Sequence, residues 1–216
     1  MKTGAIFDMD GLLFDTEVVY NEEWKVVAKE HHLEFHPEML DEMRGMSGAS
    51  MYKVMNKYWP DIDAAQITKE LFEHARETLK WKVPVKPGVE SILKYFRENN
   101  VKCAVASSSP MDLILSNLKV AHIDSYFDVV VSGQQVAHGK PAPDIFLLAA
   151  SELGLDPHDC YVFEDGPNGL HAGVAAGCST IMVPDLIKPT EELQEICIGI
   201  YPTLEAVMEA IKQGKC

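Results

Sequence analysis

Five short apolar runs recur along the chain with helical stretches among them, and this alternation constrains the fold more than any other feature. The runs are Ala5–Met9, Val101–Ala106, Phe127–Val131, Tyr161–Phe163 and Thr180–Val183. Each is rich in Val, Ile, Ala or aromatic residues and has no polar alternation, the pattern of a strand buried on both faces of a parallel sheet. Amphipathic stretches at Gly88–Glu98, Pro110–Leu118, Pro143–Leu153 and Asn168–Ala176 intervene. Strands and helices in this rhythm predict an α/β fold with an open sheet covered by helices.

One segment breaks the rhythm. From Thr16 to Lys82 the pattern is helical and contains no strand-like run, with apolar faces marked by Trp24, Val27 and Ala28 and by Val54, Met55 and Tyr58. A helical insert of that length after the first strand predicts a separate subdomain. The return runs through Val83-Pro84-Val85-Lys86-Pro87-Gly88, whose prolines suit a stiff linker. The expected organisation is a Rossmann-like parallel-sheet core of residues 1–15 and 83–216 with a small helical cap domain at 16–82.

Charge narrows the partners. With 33 acidic against 19 basic residues the formal net charge is −14, a surface that repels nucleic-acid backbones and anionic lipid. A small anionic substrate remains compatible, because a metal ion and one lysine make a site locally positive. The chain runs directly into Ala5-Ile6-Phe7-Asp8 and carries no membrane-length apolar run, which predicts a cytoplasmic protein. The five cysteines are odd in number, scattered and without a C-x-x-C pair, so they are expected to be reduced packing residues.

In an open α/β sheet the ligand crevice lies beyond the carboxyl ends of the strands, so the polar residues after each run are the candidates for chemistry. They are Asp8-Met9-Asp10-Gly11, Ser107-Ser108-Ser109, His138-Gly139-Lys140-Pro141 and Glu164-Asp165-Gly166. Asp8, Asp165 and Glu164 offer the hard oxygen ligands that magnesium takes, and such close carboxylates stay ionised only around a cation. Lys140 is a point charge suited to phosphate oxygens, and the Ser107 hydroxyl can donate to one. Asp8 and Asp10, two residues apart, could divide the roles of nucleophile and general acid/base. Ser108 and Ser109 read as loop and capping residues before Pro110. A P-loop across Gly133–Lys140 fails, since Gln134 stands where its first glycine is needed and Pro141 where a hydroxyl should hold the metal. His31, His32 and His36 lack companion ligands at metal spacing and read as solvated, and neither His138 nor His171 is given a role.

Taken together, the four motifs Asp8-Met9-Asp10-Gly11, Ser107, Gly139-Lys140-Pro141 and Glu164-Asp165 resemble those of the haloacid-dehalogenase-like superfamily of phosphatases, over essentially the whole chain. The stretches Asp10–Glu17, Val136–Asp144 and Phe163–Gly169 look like its branch holding β-phosphoglucomutase, sugar-phosphate phosphatases and pseudouridine-5′-phosphatase. The resemblance implies that Asp8 attacks phosphorus and becomes an aspartyl phosphate. It implies that Asp10 protonates the leaving oxygen and later takes a proton from the hydrolytic water. Mg²⁺ would be held by the Asp8 carboxylate, the Asp10 backbone carbonyl and Asp165, with Glu164 in or just behind that shell. Ser107 and Lys140 would hold the phosphoryl oxygens.

Within that branch, a mutase needs a cap cation for a second phosphate. In β-phosphoglucomutase that cation resembles an arginine directly after Gly-x-Ser. Here the stretch is Gly45-Met46-Ser47-Gly48, Arg44 lies on its other side, and Tyr20 stands where the mutase has a cap histidine. Hydrolysis of a sugar phosphate or nucleoside monophosphate therefore leads. A phosphosugar mutase and a non-catalytic phosphometabolite-binding protein are the alternatives. The expected partner is a small phosphorylated metabolite, with the chain a monomer or weak oligomer.

Overall fold

The computed structural model describes residues 1–43, 46 and 48–216. In chain order the elements are β1 (Gly4–Phe7), α1 (Thr16–Glu30), α2 (Pro37–Met43), α3 (Gly48–Tyr58), α4 (Ala64–Leu79), α5 (Val89–Glu98), β2 (Lys102–Ser107) and α6 (Met111–Val120). There follow β3 (Val129–Ser132), α7 (Asp144–Leu153), β4 (Cys160–Glu164), α8 (Pro167–Ala175), β5 (Ser179–Met182), α9 (Glu191–Ile196), β6 (Gly199–Ile200) and α10 (Leu204–Lys212). The chain divides into two compact units, Met1–Asp15 with Val83–Cys216, and Thr16–Lys82.

The larger unit is built on a six-stranded sheet in the order β3-β2-β1-β4-β5-β6, parallel at every pairing. β1 marks the reversal: the chain builds outward on one side to β2 and β3, then returns to the other side for β4, β5 and β6. A crevice at the carboxyl ends of the strands forms at such a switch point. Ala5, Ile6 and Phe7 are completely buried. The Phe7 ring packs 4.7 Å from Phe163 and 6.2 Å from Phe96, tilted pairs typical of apolar cores. Only glycine fits at position 4, where a Cβ would stand 2.6 Å from the Cys160 sulfur.

The strands are displaced by a residue or two from the apolar runs. Ladder pairing takes in the polar tips Ser107, Ser132 and Glu164, whereas Asp8 and Met9 fall beyond β1 because the chain turns there. β6 is two residues long and lies within the apolar stretch 196–201, a sixth run that the five above leave out. Cys103, Cys160 and Cys178 are buried, and all five cysteines are free.

The smaller unit holds helices α1–α4 joined by turns, with no strand among its described residues. Trp24, Val27, Ala28, Met39, Met55, Trp59 and Leu71 belong to its core. The Trp24 and Trp59 rings lie 6.0 Å apart, and the Trp59 indole N–H donates to the Glu34 carbonyl at 2.7 Å. Val54 and Tyr58, assigned to the same apolar face by the sequence, are only half-buried, and the Tyr58 hydroxyl donates to Glu42 at 2.6 Å. His31 is not merely solvated: its Nε2 lies 2.5 Å from Glu70 Oε2. Arg44, Gly45 and Ser47, on which the comparison with the mutase turns, lie outside the described residues. No helix among the described residues is long and apolar enough to cross a membrane.

Gly88 tests how tightly the larger unit is packed. It precedes α5 at φ +85°, and a Cβ there would stand 2.3 Å from the backbone nitrogen of Glu205 at the start of α10. Gly88→Ala therefore combines left-handed strain with a backbone clash, and urea unfolding should show a loss of about 2 kcal/mol or more. A loss below about 0.5 kcal/mol, the size of a neutral surface change, would show that α5 and α10 separate freely.

Candidate active site

Asp8 is the first residue beyond β1, and its backbone N–H continues the ladder by donating to the Phe163 carbonyl at 3.0 Å. The chain then doubles back: the amides of Leu13 and Phe14 both donate to the Met9 carbonyl, and the Gly11 amide donates to Phe14 O. Gly11 adopts φ +81°, and a Cβ on it would come within 2.5 Å of Asp165 Oδ2. Glycine is needed here both for the turn and for the approach of the Asp165 carboxylate. This tight loop brings Asp8 and Asp10 to the crevice from one strand end.

β4, the neighbour of β1, delivers Glu164 and Asp165. One ligand atom each from Asp8, Glu164 and Asp165 falls within 4.8 Å of the others. Lys140, from the segment after β3, reaches into this group. Its ammonium donates to Asp8 Oδ1 at 2.5 Å, Glu164 Oε1 at 2.6 Å and the Ala106 carbonyl at 3.1 Å, and its side chain is 8% exposed. The same ammonium lies over the Phe146 ring, 5.0 Å from its centroid.

Glu164 is fully engaged. One oxygen takes the Lys140 ammonium, and the other accepts from the amides of Asp165 and Gly166 at 3.1 and 3.2 Å. Its carboxylate lies over Gly169, where a Cβ would stand 1.7 Å from Oε1. Glu164 thus both accepts from the amides that lead into the following helix and holds Lys140.

The electrostatics follow from burial and like charge. Burial first, and then the charge of Glu164, push the Asp8 carboxyl well above its ordinary range, with Lys140 opposing. Burial alone would lower the Lys140 ammonium, but the charges of Asp8 and Glu164 and their hydrogen bonds hold it above the usual lysine value. Asp165 is pushed up to about 7 by burial, then by Glu164 and Asp185. Three carboxylates share one ammonium, so the group carries excess negative charge on hard oxygen donors. That donor chemistry fits Mg²⁺.

Ser107 ends β2 and is 1% exposed; its Oγ accepts from the Ser109 amide at 3.1 Å. Ser109 is no helix cap. Its hydroxyl donates to Asp10 Oδ2 at 2.9 Å, while Ser132 Oγ at the end of β3 donates to the Ser109 carbonyl at 2.6 Å. Helix α6 begins after Pro110 without a side-chain cap. The group around Asp8, Asp10, Ser107, Lys140, Glu164 and Asp165 lines a cleft of about 320 Å³, large enough for a small metabolite. Ser109 escapes the sequence because three consecutive serines before a proline suggest a helix entry. Asp185, three residues past the tip of β5, escapes although the rule of inspecting strand ends covers it.

Comparison with known proteins places the chain in a family. Residues 5–183 match the family model for haloacid dehalogenase-like hydrolases. A Drosophila melanogaster protein named as a probable pseudouridine-5′-phosphatase is 33% identical, with the match covering 85% of this chain and 82% of that protein. A fructose-1-phosphate phosphatase of Escherichia coli is 31% identical over 83% of this chain and 95% of its own. A crystal structure from Thermotoga maritima, provisionally assigned as a β-phosphoglucomutase, superimposes with a TM-score of 0.86 at 28% identity and 99% coverage of both chains. With the family model matched over residues 5–183 and a relative 33% identical over most of both chains, the chain belongs to the haloacid dehalogenase-like hydrolase family.

Proposed function

We propose that this chain is a magnesium-dependent phosphatase that hydrolyses small phosphate monoesters through an aspartyl phosphate on Asp8. The observation that carries this reading is the grouping of Asp8 with Glu164, Asp165 and Lys140 at the switch point, with Asp10 held by Ser109 on the same loop. In the first half-reaction an Asp8 carboxylate oxygen attacks phosphorus, the bond to the leaving oxygen breaks, and Asp10 supplies that oxygen with a proton. In the second, Asp10 takes a proton from water as the water attacks phosphorus, and the bond to Asp8 breaks to release phosphate. Ser107 and Lys140 hold phosphoryl oxygens, and Glu164 keeps the ammonium in place. Mg²⁺, held by Asp8, the Asp10 carbonyl and Asp165 with Glu164 behind, would offset the charge of carboxylate and phosphate and so let them meet.

The relatives named for a nucleoside phosphate and a sugar phosphate support both substrate classes. A phosphosugar mutase is the second reading, favoured by the likeness to the Thermotoga structure. Against it stand Gly48 and Tyr20, the latter packed edge-on against Phe72 with ring centroids 5.7 Å apart. The enzyme is proposed to work in the cytoplasm, as a monomer or weak oligomer.

Phosphate release from a panel of sugar phosphates and nucleoside monophosphates, with Mg²⁺ or EDTA, tests the reading. Activity should require Mg²⁺ and fall at least about a thousandfold in Asp8→Asn. Turnover that survives in EDTA or in Asp8→Asn would refute the mechanism, and conversion of glucose-1-phosphate without phosphate release would establish the mutase. Ser109→Ala should lower kcat about tenfold with KM little changed, because Asp10 loses an orienting hydrogen bond used in proton transfer. A rise in KM alone would instead make Ser109 a substrate contact. Burial and the charges of Glu164 and Asp185 push Asp165 up to about 7, so Mg²⁺ binding at pH 6 should displace a proton. Calorimetry in buffers of different ionisation enthalpy should show that proton released, and affinity should climb from pH 6 to 8 and then level off. A pH-independent affinity would contradict it.

A further inference from the structure

Beyond the residues that the mechanism uses lies a second ion pair of the larger unit, Lys86 with Asp185. The Lys86 ammonium donates to Asp185 Oδ1 at 2.5 Å, and both side chains are largely withdrawn from solvent, at 19% and 13% exposure. Asp185 is carried by the loop after β5, and Lys86 by the segment where the chain re-enters the unit. Asp185 Oδ2, the oxygen Lys86 does not take, lies 3.4 Å from the point a Cβ would occupy on Gly11, and Asp165 Oδ2 lies 2.5 Å from the same point. The two carboxylates thus converge over Gly11. A shielded carboxylate brought toward a group that already repels it is unfavourable unless a cation draws on its charge.

We propose that Lys86 and Asp185 form a positioning pair for the cation of the Asp8–Asp165 centre, Asp185 accepting hydrogen bonds from the ion's water ligands and Lys86 fixing its carboxylate. Lys86 is suited to this because its backbone is itself fixed. Its amide donates to the Leu13 carbonyl at 2.9 Å, and the Asp15 amide donates to the Pro84 carbonyl at 2.9 Å, so the outgoing and returning chain segments are paired beside it. Outer partners of this kind orient ligands and raise affinity without touching the metal. The inference rests on the metal-dependent reading above and concerns how that site is tuned.

The test is metal binding rather than turnover. Mn²⁺ binding to the metal-free full-length chain would be followed by the loss of the free-ion paramagnetic resonance signal, and Mg²⁺ binding by calorimetry. Asp185→Asn should weaken binding about tenfold. Lys86→Met should weaken it too, although it removes a positive charge, and Lys86→Arg should restore it. Tighter binding in Lys86→Met would mean that bare charge acts and would overturn the positioning role. A lowered melting temperature with unchanged Kd in Asp185→Asn would make the pair a structural clamp and overturn it as well. Should Asp185→Asn fail to fold by circular dichroism, the two Lys86 variants decide. Asp165→Asn separates the two levels: if it binds Mn²⁺ as wild type does, the metal centre itself is misassigned and the pair falls with it. If it loses binding while Asp185→Asn and Lys86→Met do not, only the pair is refuted.

Discussion

Repulsion among carboxylates held at the ends of two adjacent strands is the constraint around which the larger unit is arranged. β1 and β4 are neighbours in register, so Asp8 and the Glu164-Asp165 pair meet as a direct consequence of strand pairing. The amides of Asp165 and Gly166 relieve one oxygen of Glu164. The rest of the relief comes from Lys140, whose three donors go to Asp8, Glu164 and the Ala106 carbonyl, and whose ammonium lies over the Phe146 ring. A buried ammonium is itself costly, and it is tolerated here because every donor has an acceptor. Glycines complete the arrangement by letting carboxylates pass where a side chain would collide, Gly11 under Asp165 and Gly169 under Glu164.

Much of this was legible in the sequence because the apolar runs locate the sheet and the sheet locates the site. Asp8, Asp10, Ser107, Lys140, Glu164 and Asp165 were found by looking just past each run, and that procedure tolerates errors of a residue or two in strand limits. The helical character of residues 16–82 was equally readable, since a long stretch without a β-type run leaves few choices. What escaped lies toward the C-terminal end of the sheet. β6 takes only two residues of the apolar stretch 196–201, which carries a glycine and follows directly on a helix, and the pattern Leu204, Val207, Met208 and Ile211 of α10 comes after it.

Side-chain partnerships were the other gap. A sequence shows that Ser109 precedes a proline, not that its hydroxyl turns back to Asp10, because that contact joins two strand ends far apart in the chain. The same holds for Lys86 and Asp185, and for Glu164, whose second oxygen is spoken for by local amides. Strand-end position indicates which residues come near the crevice. Which of them touch the reacting atoms and which hold the others in place depends on distances that pattern alone does not carry.

The central place of β1 also bears on how the protein is made. Of the strands of this sheet, the first to be synthesised is the one that must end in its middle, and the Asp8 amide pairs with the Phe163 carbonyl. Until β2 and then β4 have been synthesised, the apolar stretch Ala5–Phe7 has neither neighbour and Asp8 stands in water. Non-local pairing of this kind is slow to form and leaves unpaired strand edges exposed meanwhile. The helical segment Thr16–Lys82 has its own core and emerges during that interval. A nascent chain can therefore hold a complete helical segment while its central strand still waits for its second partner.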